Sequence, residues 1–464
     1  MDLTLTKAES VIGILPMAGP PHVLLIHCHD LGRCLNCYGF DAETPNIDAI
    51  AENGAMLEDH FVTAPQCSPS RSSLMTGEYP HVNGMMGLAH EAWELDDDIT
   101  TLPEYLTRAG YETHLFGLQH ITSNPGEIYD VIHSEYVLTA DVLPSVHEAD
   151  RATDVSKVVC DFLKNRTHSR PFFASVGFFE LHRLETEDGG YGFNDGRYDP
   201  ADPDEVTVPP YLPDTPAVRE DIAELHGMLT SVDAAVGDIR DTLAETGMDE
   251  ETLLIFTTEH GIAFPRAKAT CYDAGIEAAL LLEYPDRIEA GQTHDVMISN
   301  VDVLPTILDL CGQIQPDAIS GRSFRPLLED DDYQPRERVF AEMTWHDMYV
   351  PMRTIRTPDY KYIRNFWHLP HIYLSRDIFR SKSGRAVREE WAVPSRPYEE
   401  LYDLSADPLE EQNLVGDDEF EPTRRRLRDE LFGWMVSTDD PLLAGPVRPA
   451  DYHEMMPTMR LTDH

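Results

Sequence analysis

The sequence predicts an α/β fold with a large, mostly parallel central sheet flanked by helices and a smaller C-terminal antiparallel subdomain. Continuous apolar runs such as residues 23–27 are typical of strands that are buried on both faces of a parallel sheet. These runs alternate with helical patterns up to about residue 330, which is the order of βαβ units. Beyond that point, short strand-like runs separated by prolines indicate a second, antiparallel sheet.

The predicted elements of the first part begin with a strand at 23–27. A helix with Pro45 in its first turn then ends at Gly54. The longest helical pattern runs from Pro216 toward Thr246. The remaining elements are a helix at 102–109 and strands at 111–116, 172–178 and 253–256.

The second part has a different texture, because Pro351 and Pro358 separate short runs that favour strands. We expect strands at 338–344, 352–356 and 360–365, a turn-rich stretch, and a last helix at 422–436. The predicted organisation is therefore an N-terminal extension at 1–19, an α/β domain at 20–330 and a C-terminal subdomain at 331–464.

The composition is strongly acidic. Lys+Arg 36 against Asp+Glu 83 gives a formal charge of 36 − 83 = −47, which disfavours binding to nucleic acids or to anionic membrane surfaces. A hydrophobic content of 42% argues against global disorder. Only six of the cations are lysines, and such a charge needs salt to screen its self-repulsion, so we expect a halophilic protein.

The cysteines indicate a reducing compartment, because seven irregularly spaced cysteines do not resemble a disulfide framework. No stretch reaches the roughly 18 apolar residues of a spanning helix. The segment 11–18 is short and interrupted by Pro16, and it is preceded by Lys7 and Glu9 instead of the basic run of a signal peptide. We expect the protein to be cytoplasmic.

Polar, ionisable side chains follow four of the predicted strands. In open α/β sheets, ligands bind outside the carboxyl ends of the strands, so these side chains are candidates for a shared site. The four groups are His29 with Asp30, His120, His182, and Glu259 with His260.

Residues 67–77 read C-S-P-S-R-S-S-L-M-T-G and match the sulfatase signature C-x-P-S-R-x-x-x-[LM]-T-G at every position. The chain therefore resembles the formylglycine-dependent sulfatases of the alkaline phosphatase superfamily, and residues 210–237 are similar to the heparan N-sulfatase (sulfamidase) branch. Pro69 suits a first helical turn, which places Cys67 at a positive helix end and favours its thiolate.

The resemblance implies a sulfuric ester hydrolase that acts on a small or saccharide sulfate. In that family the cysteine is oxidised by a formylglycine-generating enzyme, and the hydrated aldehyde attacks sulfur and later expels sulfate. The implied catalytic residues are Cys67, Arg71, His120 and His182, the implied metal ligands are His29, Asp30, Glu259, His260 and Cys67, and the implied substrate contacts are Lys268 and Arg266.

Three positions depart from the family pattern. His29 replaces an acid and His260 replaces an amide, which moves the expected metal from the family's calcium toward manganese or zinc. Leu118 stands where the family has an anion-binding lysine. Two alternatives stay open: a phosphonate monoester or phosphodiester hydrolase of the same superfamily, and a catalytically silent anion-binding homologue.

Overall fold

A computed structural model describes residues 19–133, 151–167, 170–316, 318–391 and 395–449. The strands in these ranges are β1 (His22–Cys28), β2 (Ala55–Leu57), β3 (His60–Phe61), β4 (Glu112–Gly117), β5 (Val131–Ile132), β6 (Phe172–Gly177), β7 (Leu184–Glu185), β8 (Tyr191–Gly192), β9 (Thr252–Thr258), β10 (Leu280–Glu283), β11 (Gln292–His294), β12 (Ile298–Ser299), β13 (Val339–Trp345), β14 (Tyr349–Arg356), β15 (Tyr360–Asn365) and β16 (Glu399–Asp403). The α-helices are α1 (Pro45–Glu52), α2 (Cys67–Thr76), α3 (Pro80–Asn83), α4 (Leu102–Arg108), α5 (Ala152–Asn165), α6 (Pro216–Thr246), α7 (Asp273–Ile276), α8 (Val303–Leu310), α9 (Arg325–Leu328), α10 (Arg376–Phe379), α11 (Lys382–Trp391) and α12 (Glu421–Ser437).

The central sheet has eight strands in the order β11-β2-β10-β9-β1-β6-β4-β5. All neighbouring strands are parallel except at β10, which runs antiparallel to both β9 and β2. β1 lies between β6 and β9, so the carboxyl ends of these three strands meet at one edge of the sheet. This is the edge at which a ligand is expected in an open α/β sheet.

Both faces of β1 are buried. Leu24 and Ile26 pack in a core cluster with side chains of α1, α5 and α6. Val23 and Leu25 pack on the other face with side chains of α2, α4 and α8. Each fully buried side chain of this size contributes about 1.5–3 kcal/mol, so the apolar run stabilises a sheet covered on both faces.

The predicted elements of the first part are confirmed within a few residues. α6 has the predicted ends, with Thr215 accepting a hydrogen bond from the Val218 amide and Gly247 in the left-handed region at a φ of 68°. β10 was not predicted, because a short apolar run such as 278–282 is equally compatible with a buried helix and a strand.

The C-terminal part contains a separate antiparallel sheet in the order β13-β14-β15-β16. Helix α12 covers it, since Leu427 and Leu431 pack with Ile355, Tyr362 and Leu401. The three predicted strands are present, whereas β16, α10 and α11 lie in the stretch that the sequence indicated only as turn-rich. Among the helices that the structure describes, none has the length and apolar character needed to cross a bilayer.

A buried ion network joins this C-terminal sheet to the segment after α2. Glu342 contacts His81 Nδ1 at 2.7 Å and Arg353 Nε at 3.0 Å, and Arg353 also pairs with Asp440. His81, Glu342 and Asp440 lie close enough to hold an ion, but the Arg353 guanidinium already supplies the positive charge between the two carboxylates. We therefore interpret this cluster as structural.

Candidate active site

The four residues that follow β1 and β9 meet at the carboxyl edge of the sheet. Because these strands are parallel, with Cys28 opposite Thr258, the next residues of each strand face one another. His29 Nδ1 lies 2.6 Å from Glu259 Oε1, and His260 Nε2 lies 3.2 Å from Asp30 Oδ1. All four side chains are buried.

Cys67 is the first residue of α2 and enters the same cluster. Gln66, with extended backbone, precedes the helix, and Gly77 ends it in the left-handed region at a φ of 70°. Cys67 Sγ lies 3.6 Å from His260 Nε2. Ser70 Oγ donates a hydrogen bond to the Glu259 carbonyl, which fixes the start of the helix against the end of β9.

These donor atoms fit a bound divalent ion. Ligands about 2.1 Å from one ion lie about 3 Å from each other, which is close to the observed spacings. The Nδ1–H of His260 donates to the Gly261 carbonyl at 2.9 Å, so the lone pair of Nε2 faces Asp30 and Glu259. Asp30 Oδ1 is a buried acceptor without a hydrogen-bond donor in the described chain. His29, Asp30, Cys67 and Glu259 can each place one donor atom within 4.8 Å of the others.

The carboxylates of this cluster are held in their charged form. Burial opposes charge on Glu259, but His29 and Arg71 outweigh it and keep its pKa well below the usual value. Burial likewise opposes charge on Asp30, but Lys268 and His260 keep its pKa low. Two ionised, buried carboxylates are the groups that a divalent cation requires.

Cys67 differs from the sequence-based expectation. Burial, followed by the charge of Glu259, raises the pKa of the Cys67 thiol well above its ordinary value. The prediction that the helix start favours a thiolate is therefore wrong for the unmodified side chain, because loss of hydration outweighs the helix dipole at this buried position.

Two cations lie beside the cluster. Arg71 Nε bonds Glu259 Oε2 at 2.5 Å, and its Nη2 is buried without a hydrogen-bond partner among the described residues. Lys268 Nζ donates to Asp30 Oδ2 at 2.9 Å and to Asp377 Oδ2 at 3.2 Å. Burial lowers the pKa of Lys268, but Asp30 and Asp377 outweigh burial and raise it well above the usual value, so the ammonium is charged.

Arg266 lies apart from these cations. Its guanidinium donates to the carbonyls of Leu409 and Glu410 at 2.9 and 2.8 Å and stacks over Tyr272. These contacts belong to a cavity of about 540 Å³ at the junction with the C-terminal sheet, and neither Cys67 nor Lys268 lines that cavity. The predicted substrate contact of Arg266 therefore has no support from its position.

His120 and His182 approach the cluster from the ends of β4 and β6. Their ring centroids lie 6.0 and 5.6 Å from that of His29. His182 donates its Nδ1–H to the Arg183 carbonyl at 2.8 Å, and Arg183 is held by a buried ion pair with Asp221. Burial lowers the pKa of both imidazoles, so both are neutral at pH 7.

Two neighbours of this site were not predicted from the sequence. Asp377 comes from α10, in the stretch read as turn-rich, and His90 comes from the one-turn 3₁₀ helix Ala89–Glu91. Neither belongs to a motif, and both are brought to the site by contacts between distant segments. Leu118 is buried and packs in the apolar core, so it supplies no charge.

The chain matches the sulfatase family model over residues 21–313. It also matches the C-terminal model of N-sulphoglucosamine sulphohydrolase over residues 259–377. Human N-sulphoglucosamine sulphohydrolase is 30% identical over 475 residues, which cover 92% of each chain. The chain belongs to the sulfatase family. The relatives of this family hydrolyse sulfate esters and sulfamates, and this chain is a hydrolase of the same class.

Other known proteins are similar over most of the chain. An ulvan-active sulfatase of Formosa agariphila is 27% identical and matches 87% of this chain and 77% of its own. A solved structure in complex with its substrate D-glucosamine-2-N,6-O-disulfate shares the fold with a TM-score of 0.68 at 20% identity, covering 91% and 98% of the two chains. The phosphonate monoester hydrolase of Agrobacterium radiobacter shares it with a TM-score of 0.68 at 19% identity, covering 91% and 97%.

Proposed function

We propose that the protein hydrolyses the sulfate ester or sulfamate of a saccharide with a nucleophile derived from Cys67 and one divalent metal ion. The observation that carries this proposal is the position of Cys67 at the start of α2, 3.6 Å from His260 and among buried carboxylates and imidazoles. Converted to formylglycine, residue 67 would supply a hydrated aldehyde as the nucleophile, and the conversion requires a formylglycine-generating enzyme as a partner.

The metal ion would be held by His29, Asp30, Glu259, His260 and residue 67. When bound, such an ion supplies positive charge for the substrate anion and lowers the pKa of a coordinated hydroxyl. Because two of the donors are imidazoles, we propose manganese or zinc in place of the calcium that the resemblance implies.

The remaining side chains have distinct roles in this proposal. Lys268 binds the anion with the N–H that is not donated to Asp30 or Asp377. Arg71 holds Glu259 and adds permanent charge next to the nucleophile. His120 accepts a proton from the nucleophile, and its imidazole is neutral before the reaction, as a proton acceptor must be. His182 faces the leaving-group oxygen or nitrogen.

A saccharide substrate is supported by the relatives and by the surface near the C-terminal sheet. The protein at 30% identity is named for N-sulphoglucosamine, and the chain matches its C-terminal family model. Trp367 is 45% exposed and its ring stacks with His368, which makes a flat surface of the kind on which sugar rings pack. We propose that this surface contacts the sugar.

A phosphonate monoester or phosphodiester is the second candidate substrate. The observation in its favour is the imidazole of His260 in the metal cluster, where the sulfatase pattern has an amide. A panel of aryl sulfate, glucosamine N-sulfate, aryl phosphonate and phosphodiester substrates separates the two, because the true substrate class has the highest kcat/KM.

The test of the proposed function is metal-dependent release of sulfate, combined with mass spectrometry of the peptide that contains residue 67. We expect an aldehyde at residue 67 and a loss of kcat/KM of about a thousandfold or more in Cys67→Ala. Cys160→Ala is the matched control, because Cys160 lies on α5 outside the site. Equal turnover by both variants would show that Cys67 is not the nucleophile, and no turnover by the wild type would favour a silent anion-binding homologue.

We also propose the division of the chain that the sequence predicts, with a catalytic domain at 20–330 and a C-terminal subdomain at 331–464. The proposed extension at 1–19 lies outside the described residues except for Gly19. All seven cysteines are free thiols, which supports a reducing compartment such as the cytoplasm. Fractionation of the native host tests this compartment.

A further inference from the structure

His90 forms a hydrogen bond with the proposed base His120. Its Nδ1 lies 3.0 Å from Nε2 of His120, and the two ring planes are inclined by only 7° with centroids 5.3 Å apart. We propose that His90 is a positioning residue that holds the His120 ring and keeps the proton of His120 on Nε2, which leaves Nδ1 as the acceptor. This inference rests on the proposed function, in which His120 takes a proton from the nucleophile.

The unused nitrogen of His120 identifies the atom that would accept the proton. His120 Nδ1 is buried and has no hydrogen-bond partner in the described part of the chain, whereas Nε2 is taken by His90. A hydrogen bond between two neutral imidazoles needs one N–H and one lone pair. If His120 donates from Nε2, its Nδ1 carries the lone pair that a general base requires.

His90 is suited to be the acceptor in this pair. Burial, with the nearby charges of His346 and Lys268, lowers the pKa of His90 to about 4, so its ring is neutral. The His90 ring is only partly buried, so it can keep its own proton on Nε2 while Nδ1 accepts from His120. The opposite arrangement would leave a buried N–H of His120 without an acceptor, which is costly.

The backbone at His120 adds a reason for a positioning contact. His120 has a φ of 63°, in the left-handed region that costs a residue with a Cβ about 1 kcal/mol or more. The chain accepts this conformation three residues after the end of β4, and the imidazole lies beside those of His29 and His90. A hydrogen bond that fixes the ring keeps this strained position in one orientation.

The role of His90 is tested with two variants that differ in whether the new side chain can accept a hydrogen bond. His90→Asn can place an acceptor oxygen near the position of Nδ1, whereas His90→Leu cannot accept a hydrogen bond. On the best substrate of the panel, we expect kcat to fall about 10- to 100-fold in His90→Leu, while KM changes less than about threefold. In His90→Asn, we expect kcat to recover most of this loss. A purely structural role would not be rescued by the asparagine.

The matched control is His133→Leu. His133 and His114 form another imidazole pair, with Nε2 of His133 3.1 Å from Nδ1 of His114. His114 lies within β4 and His133 directly follows β5, outside the site. We expect this variant to keep the wild-type kcat. An equal loss of kcat in His133→Leu and His90→Leu would overturn the assignment.

A readout that needs no turnover separates this inference from the proposed function. Nitrogen-15 spectra of the histidine side chains, with the His120 signals identified through His120→Gln, report which ring nitrogen carries the proton. We expect the Nε2–H form in the wild type and in His90→Asn, and a mixture or the Nδ1–H form in His90→Leu. An Nδ1–H form in the wild type would overturn the inference even if the protein hydrolyses sulfate and even if His90→Leu does not fold.

Discussion

Lys268 and Asp377 form a buried ion pair of 3.2 Å that connects the proposed metal cluster to helix α10. The same ammonium contacts Asp30 at 2.9 Å, so one lysine joins a predicted metal ligand to a residue that follows the C-terminal sheet strands β13–β15. In a chain with six lysines, this one is almost completely buried between two carboxylates. The C-terminal part of the chain therefore takes part in the electrostatics of the site.

Replacing Asp377 by Asn removes one charge from this pair and keeps the shape of the side chain. We expect the free energy of unfolding to decrease by about 1–3 kcal/mol, because Lys268 stays buried with one carboxylate fewer. Urea denaturation measures the change. Asp429→Asn is the control, since its pair with Arg428 is exposed and contributes about 0–1 kcal/mol. Equal stability of the two variants would contradict the role given to Asp377.

The same pair predicts a pH dependence of stability. Burial opposes charge on Asp377, but Lys268 and His346 outweigh it and hold its pKa far below the ordinary value. Because the folded-state pKa is depressed, the stabilisation is complete above the ordinary pKa of about 4 and is lost as the pH falls below it. Between about pH 5 and about pH 3, the free energy of unfolding should fall more steeply for the wild type than for Asp377→Asn. Parallel curves would show that the pair does not contribute.

The net charge of −47 predicts that salt stabilises the fold. Added salt screens the repulsion between acidic side chains, and potassium chloride acts mainly by screening. We expect the midpoint of thermal unfolding to rise continuously from about 0.1 M to about 3 M KCl. Calorimetry checks this, and a lower midpoint at high KCl would be incompatible with a halophilic protein.

The imidazoles of His29 and His260 predict a preference for manganese over calcium, and substitution of both residues should reverse it. The double variant His29→Asp, His260→Asn restores the acid and amide of the sulfatase pattern, and oxygen ligands favour calcium. After dialysis against equal calcium and manganese, we expect the wild type to retain manganese and the double variant to shift toward calcium, as measured by elemental analysis. His133→Asn serves as a control with an unchanged site. Identical metal content in all three proteins would contradict the argument that these two ligands select the metal.

Several elements of the fold and the site follow from local sequence. β1 and β9 were predictable because strands buried on both faces need continuous apolar residues, and their polar ends identified His29, Asp30, Glu259 and His260. The start of helix α2 was predictable from Pro69, which suits a first helical turn. In each case the residues that decide the structure are neighbours in the chain.

The parts that escaped prediction depend on contacts between distant segments. Asp377 is 109 residues from Lys268, and nothing near it in sequence indicates a buried carboxylate. His90 lies in a single 3₁₀ turn without a periodic pattern, and it meets His120 only after β4 has joined the sheet. The pKa of Cys67 was misjudged for the same reason, since burial is a property of the assembled fold and not of the helix start.

A crystal structure of the metal-loaded protein soaked with sulfate tests the central claim most directly. Anomalous scattering locates the ion, and we expect it about 2.0–2.6 Å from donor atoms of Asp30, Glu259 and His260, with residue 67 in its coordination shell and sulfate beside Lys268. An ion bound elsewhere, or sulfate remote from both residue 67 and the ion, would contradict the proposal that this cluster is the catalytic centre.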